Sequence, residues 1–297
     1  MNQLNTKKIV SALFALSLSA CTSIPKDGGL SNVNSLVETK LSAGVQLPSL
    51  SHNNQLTADA MLSLLAQPLS IADAEKLAVE FNPMMKVKLF KVGLAEADYA
   101  QAGRMENPGF SYARVSGQAY EASLLFDMGG VILMPLKRQL EKRRLQSARY
   151  QAASDVLEHI ANTRRGWINA VAAKQQTALM LKALESAEAG NNLTRQMSAL
   201  GHSSVIEAAD SEIFLSGMRT SLTRQRLAES AAREGLIRQL GLWGQQARSL
   251  KLPDRLPELP PNSIDIESVE GQAIENRLDV RMANRNDESL SLALIQI

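Results

Sequence analysis

A single cysteine among 297 residues, Cys21, leaves no disulfide framework, no cysteine-rich zinc site and no CxxC redox pair. Histidine is almost as scarce. His52, His159 and His202 stand tens of residues apart, without the short spacing that a histidine metal site needs. Charge of one sign is missing too: Lys+Arg 32 against Asp+Glu 30 leaves +2, too balanced for a chain whose affinity comes from neutralising nucleic-acid phosphates. Aromatics make up only 4%, which suits long helices better than an all-β chain. The sequence also lacks GxSxG, a P-loop, HExxH and a glycine-rich dinucleotide fingerprint, and no acidic pair stands out for general acid–base work. No enzymatic activity, no metal and no cofactor are expected.

What is present begins with a targeting signal. Lys7 and Lys8 precede the apolar run Ile9 to Leu18, too short to span a bilayer but right for a signal-peptide core. Leu18-Ser19-Ala20-Cys21 follows and resembles a bacterial lipobox, which implies cleavage after residue 20 and a covalent lipid on Cys21. The plainer alternative is an ordinary secretory signal with an incidental cysteine. Thr22, rather than Asp, after the cysteine resembles the outer-membrane sorting pattern of enterobacterial lipoproteins. Residues 21–69 are rich in Ser, Asn, Gly and Pro and read as a lipidated, mostly extended linker with a short helix at Thr57 to Ala66.

Order is expected from Ser70, which caps a helix with apolar residues Ile71, Ala74, Ala78 and Phe81. Asn82-Pro83 ends that helix and starts the next, Asn82 as N-cap and Pro83 at the first helical position. The second helix carries Met85, Leu89, Val92 and Tyr99 and runs to about Arg104, before Asn107-Pro108. The window 109–134 alternates like strand faces in Phe110/Tyr112 and Leu124/Phe126/Met128, with a turn near Gly117-Gln118 and an end at Gly129-Gly130. It reads equally as a pair of membrane strands or as a soluble β-hairpin. Lys137, Arg138, Lys142, Arg143 and Arg144 form a basic cluster just beyond, suited to anionic headgroups or simply to solvent.

From Leu136 to Leu200 no proline interrupts the chain, a helix of roughly 98 Å if continuous. Val156, Ile160, Thr163, Trp167, Ala170, Thr177, Leu181 and Leu184 follow steps of four and three, and only Lys174 breaks the series. Such a period implies supercoiling against partner helices. Gly201 suits a left-handed residue after the helix, and Ser204-Val205-Ile206-Glu207 restarts it as a capping box. The long helices are thus placed at 136–200 and 204–242. The second carries Ile206, Ile213 and Leu227 on one register and Leu215, Met218, Leu222 and Leu236 on a neighbouring face. Trp167 and Trp243 read as packing residues, and LPDRLPELPP from Leu252 to Pro261 as a stiff connector. A helix this long outreaches a globular domain of this size. The fold class expected is mainly α: a long antiparallel coiled-coil hairpin with a small β-hairpin.

The order of these stretches resembles the TolC-like outer-membrane efflux proteins, in particular their lipoprotein branch. The resemblance rests on Ser70 to Ala74, Asn82-Pro83, Ala95-Glu96-Ala97, Asn107-Pro108, Leu200-Gly201, the LPDRLPELPP segment and Ala273 to Arg281, where Leu278 replaces the family's usual proline. It implies a homo-oligomer, a trimer in the family, with an outer-membrane β-barrel continued by a periplasmic α-barrel. It implies two structural repeats per chain, here a complete one over 70–262 and the start of a second over 263–297. A shift of 195 places Ile71 on Ile266, Ala78 on Ala273 and Glu80 on Glu275, in keeping with that division. The chain is accordingly expected to be a truncated copy.

Function follows from the resemblance: the outer-membrane channel component of a tripartite efflux pump, passively exporting small molecules or metal ions. Its partners would be a periplasmic adaptor (membrane-fusion) protein, an inner-membrane transporter and outer-membrane lipid, with no nucleic acid. Leu200, Gly201, His202 and Ser203 would form the periplasmic tip that meets the adaptor, His202 departing from the small or amide residue usual there. Glu207, Asp210 and Glu212, just after the tip, would line the pore exit and attract cations; equally, acids in a first helical turn offset the helix dipole. The alternative from another class is a structural coiled-coil envelope lipoprotein without a pore.

Overall fold

The computed structural model describes residues 24–48, 54–117 and 119–259, with 271 and 277 as isolated positions. The signal peptide, Cys21 and nearly all of 263–297 lie outside the described residues. Those described fall into two compact units, 24–36 with 89–153 and 37–88 with 154–259.

The helices are α1 (Leu30–Val37, followed by a 3-10 turn Glu38–Lys40), α2 (Asn54–Leu65), α3 (Ile71–Lys76, continued by a π-helical turn Leu77–Phe81) and α4 (Pro83–Ala102). After the strands β1 (Gly109–Ser116) and β2 (Ala119–Leu125) come α5 (Met128–Ala199), α6 (Val205–Leu240) and α7 (Gly244–Ser249). The mainly helical architecture with one small hairpin is the expected one. Ser70 caps α3 as read, its hydroxyl accepting from the Asp73 N–H at 3.1 Å. Asn82 caps α4, its Oδ1 accepting from the Met84 N–H at 2.9 Å.

Three boundaries differ from expectation. Residues 22–69 are not simply extended, because α1 and α2 form within them. The Asp27 carboxylate caps α1 by accepting from the Gly29 and Ser31 N–H groups at 3.1 and 2.8 Å. Those bonds, Ser31 first, hold its pKa below the usual carboxylate range. Leu30, Val33 and Val37 then bury one stripe in a run that composition alone labels as polar. The β-region ends at Leu125 rather than 134, and the long helix starts at Met128 rather than 136, with Gly129, Gly130 and Pro135 inside it. Asp127 drives this early start: its Oδ1 accepts from the Gly130 N–H at 2.9 Å. Trp243, read as a packing residue, is 74% exposed, whereas Trp167 is 3% exposed.

In the first unit, α4 buries Leu89, Val92 and Ala100, and α5 buries Leu140, Leu145, Ala152 and Ala153. Glu96 is buried on the same stripe of α4 and is paired with Arg149 of α5. In the second, Leu65, Leu69, Leu77 and Ala78 join Trp167, Ala170 and Val171 of α5, Leu236, Ile237 and Leu240 of α6, and Leu250 and Leu252 beyond α7. Trp167 Nε1 donates to the Leu69 carbonyl at 2.8 Å, so the indole both fills this core and satisfies its own N–H. The Glu75 carboxylate, buried, receives Arg164 Nε at 2.5 Å and the Ser42 N–H at 3.3 Å.

Candidate functional site

The β-hairpin is antiparallel, with Phe110 opposite Leu124, Ser111 opposite Ser123, Tyr112 opposite Ala122 and Ala113 opposite Glu121. Period-two alternation puts Phe110, Tyr112, Ala122 and Leu124 on one face, with Arg114 at its turn end, and Ser111, Ala113, Ser123 and Glu121 on the other, with Leu125 at its far end. The two serine hydroxyls hydrogen-bond across the polar face at 2.6 Å. Phe110, Tyr112 and Leu124 are all exposed. A two-stranded sheet with one bare apolar face and two open edges is incomplete in water. Apolar-out, polar-in alternation is the pattern of a lipid-facing barrel strand.

The second unit carries an antiparallel helix pair, α6 returning along the C-terminal part of α5. Arg219 bridges Glu188 at 3.1 Å, Asn191 Nδ2 donates to Glu212 at 3.0 Å and Gln225 Nε2 to the Ala173 carbonyl at 3.2 Å. On α5 the buried seam runs through Val156, Ile160, Thr163, Trp167, Ala170 and Thr177, then through Asn191; Leu181, which the spacing included, is exposed. The seam threonines satisfy their hydroxyls on the carbonyls four residues back, Thr163 on His159 and Thr177 on Ala173. On α6 the seam is Leu215, Leu222 and Leu236.

Each helix carries a second apolar stripe. Ile206, Ile213 and Leu227 of α6 are exposed, Leu227 at 72% against 5% for Leu222. Leu179 and Leu193 of α5, and Leu200 beyond its end, are exposed at multiples of seven residues. Leu179 and Leu193 lie two positions past Thr177 and Asn191, whereas Ile213 lies two positions before Leu215 and Leu227 five past Leu222, in each case roughly 140–160° around the helix from the seam. Both stripes therefore point away from the partner helix, so the pair is apolar on its two outer sides as well as between its members.

At the tip, α5 closes with the His202 N–H donating to the Met197 carbonyl at 2.8 Å and the Gly201 N–H to Ser198 at 3.1 Å, Gly201 at φ 76°. Ser204 then caps α6: its hydroxyl accepts from the Glu207 N–H at 3.1 Å, and Glu207 Oε2 accepts from the Ser204 N–H at 2.8 Å. Ser203 Oγ also donates to Glu207 at 2.7 Å. This bond first, and then those from Ser204, lower the Glu207 pKa. Leu200, Val205 and Ile206 stand exposed around the turn.

At the other end of α6, Asn82 Nδ2 donates to the Gln239 carbonyl at 2.8 Å and lies 3.2 Å from His159 Nε2. Burial, then the Lys88 charge, push the His159 pKa down, so the imidazole sits neutral and accepts from Asn82. Gly241, at φ 69°, runs so close to Asn82 and Pro83 that a Cβ would lie 2.8 Å from the amide carbon.

No protein-family model matches the chain, and no curated protein does. Solved structures match it. The Campylobacter jejuni CmeC outer membrane channel superposes with a TM-score of 0.61 at 15% identity, over 75% of this chain and 52% of that one. The outer membrane protein VceC from Vibrio cholerae gives 0.57 at 13% identity, over 75% and 57%. A membrane protein from Pseudomonas aeruginosa gives 0.58 at 16%, over 75% and 55%. The chain has the TolC-type channel fold. It spans little more than half the length of each of these structures.

Within that TolC-type fold, the structure gathers Leu200, Gly201, His202, Ser203 and Glu207 at one turn. Glu212 lies further along α6, held by Asn191 with Arg195 at 3.9 Å, and Asp210 is exposed. Cys21 lies outside the described residues. Among the described residues no group of acids, histidines or cysteines is arranged to hold a metal, and no helix is long and apolar enough to cross a membrane. Sequence reading missed the Asn82–His159 pair, whose members lie 77 positions apart. It also missed the outward stripe on α5, whose signal was present as leucines at 179, 193 and 200.

Proposed function

We propose that this chain contributes one β-hairpin and one long helical hairpin to an oligomeric outer-membrane export channel, anchored by lipid on Cys21 and extending into the periplasm. The observation that carries the proposal is the pair of outward apolar stripes on α5 and α6. A helical pair that is apolar on both outer sides buries those sides when it is flanked on each by another such pair. Repeating that arrangement in a curved row closes a ring, which is how a TolC-type helical barrel is built. The amphipathic β-hairpin supports the same reading at the membrane end. Its edges must be met by strands from further copies or from a separate second half, because lipid leaves no backbone group unpaired at low cost.

In this reading substrate passes down the ring without chemistry from the chain itself, and an inner-membrane transporter coupled through a periplasmic adaptor supplies the energy. The turn at Leu200 to Ser203 is the adaptor-facing end. Asp210 and Glu212, repeated around the ring, would bias the exit toward cations; Glu207 is engaged by its own cap. The exported class is small molecules or metal ions.

Native mass spectrometry of the detergent-extracted protein tests this. A discrete closed oligomer is expected, reduced to monomer by Leu193→Asp with Ile213→Asp. Monomer alone in the wild type, together with uniform water exposure of spin labels at 110, 111, 112 and 124, would instead make the chain a poreless envelope rod.

A further inference from the structure

The geometry points to a phospholipid-headgroup site at the foot of the β-hairpin, in which Lys137, Lys142 and Arg144 of α5 hold the phosphates of anionic lipids in the periplasmic leaflet. The inference deepens the channel reading and rests on it for the placement of the hairpin in the membrane.

Strands of 8 and 7 residues, tilted by about 40°, cover on the order of 20 Å of the bilayer normal, short of the ~25 Å apolar band of an outer-membrane barrel. The missing length is present in the first two turns of α5. Met128, Val131, Ile132 and Leu133 are all exposed there, which a helix standing in water does not need. These residues add up to ~9 Å of apolar helix, so the hydrocarbon boundary falls near Leu133 and not at the end of β2. Lys137 and Arg138 follow one turn later, ~6 Å further on, at headgroup depth.

From Lys137 to Arg144 the chain carries five cations and one acid, Glu141. Arg138 lies over the Tyr99 ring at 5.4 Å and is held against the fold, whereas Arg144, 57% exposed, meets Glu141 at 2.6 Å in a surface pair that a phosphate can replace. A cavity of about 170 Å³ opens at this level between the end of α4 and the start of α5. Arg104 and Lys137 line it beside Val131 and Met134, together with the acids Glu106 and Asp127, so the cavity itself is balanced in charge. An anionic headgroup is therefore placed by the five-to-one excess of cations from Lys137 to Arg144, with its acyl chains along the exposed turns of α5. Each such cation near an anionic surface strengthens partitioning several-fold.

The test is vesicle flotation of the full-length protein with phosphatidylcholine alone and with phosphatidylcholine containing phosphatidylglycerol. An acyl chain on Cys21 contributes equally to both and cancels in the ratio. The wild type is expected to favour the anionic vesicles, and Lys137→Gln with Lys142→Gln and Arg144→Gln to reduce that preference at least tenfold while binding to neutral vesicles is unchanged. The same charge removed elsewhere, Lys182→Gln with Arg224→Gln and Arg226→Gln, is expected to leave the preference intact. Equal loss in this second variant overturns the site, as does displacement by inorganic phosphate beyond that by chloride of equal ionic strength. Failure of the channel reading looks different: the wild type, and Phe110→Asp with Leu124→Asp, then bind neutral vesicles alike.

Discussion

Around Trp167, helix α5 is covered on several sides by its own chain, whereas around Leu193 it meets α6 along one seam and turns an apolar face outward. The same helix, with the same partner, is self-sufficient in one stretch and unfinished in the other. At Trp167 the segment before α3, the end of α6 and the residues after α7 converge, and the Leu69 N–H donates to the Lys251 carbonyl at 2.9 Å. Lys174, which breaks the apolar spacing of α5, is used there: its Nζ reaches the Leu252 carbonyl at 2.7 Å and Asp254 at 2.9 Å. Toward the tip no such segments arrive among the described residues, and the seam is held by polar pairs such as Asn191 with Glu212. Burial by the chain itself stabilises the fold, and burial left undone is what the neighbouring copies of the proposed channel would complete.

The sharpest way to break this contrast is to remove one core side chain from each stretch. Trp167→Ala deletes a buried indole and its hydrogen bond to Leu69 and is expected to cost about 3–5 kcal/mol. Leu222→Ala in the open seam should cost about 2 kcal/mol in the dissociated chain. Urea midpoints followed by far-UV circular dichroism measure both, and equal losses would erase the distinction.

The two left-handed glycines refine it. Gly241→Ala forces a Cβ against Asn82 and Pro83 at φ 69° and should cost more than ~2 kcal/mol. Gly201→Ala meets open space at φ 76°, so only the backbone penalty of about 1 kcal/mol remains. A reversal of that order in unfolding midpoints would place the tip, not the junction at Asn82, among the tightly built parts.

The smallest effect is a slope with pH. The folded pKa of His159 lies below the unfolded value of 6.5. As pH falls through 6.5 the unfolded chain therefore takes up a proton first, and stability declines until the folded pKa is passed. Glu80, whose pKa burial raises above 4.5, works in the opposite sense at lower pH, its charged form being favoured again on unfolding. His159→Gln keeps an acceptor for Asn82 and removes the imidazole. Its stability between pH 7 and 5.5 should be flatter than that of the wild type, and parallel curves would exclude His159 as the source.

Much of the frame was readable because it is local. Ser70, Asn82-Pro83, Gly201 and the Ser204–Glu207 box each act within four residues, and each capped or closed a helix where expected. The strand alternation from Phe110 to Leu124 was equally plain. Two local signals misled. Gly129, Gly130 and Pro135 suggested a break, yet the Asp127 cap and the helix behind it absorb them. A Ser- and Asn-rich composition hid α1, whose Leu30, Val33 and Val37 gain their burial only from tertiary contacts.

Sequence alone determined the starts of α3, α4 and α6 and the turn at Gly201, the alternation of the β-hairpin and the seven-residue spacing of apolar residues on α6, because each depends on neighbours a few positions apart. It left two candidate stripes on α6 and gave no ground for choosing the inner one. Tertiary structure decided that Leu215, Leu222 and Leu236 face α5 while Ile206, Ile213 and Leu227 face outward, through the register that Glu188–Arg219 and Asn191–Glu212 impose across the pair. Which apolar face is spent within a chain and which remains for others is a property of two helices in contact, and no single helix carries it.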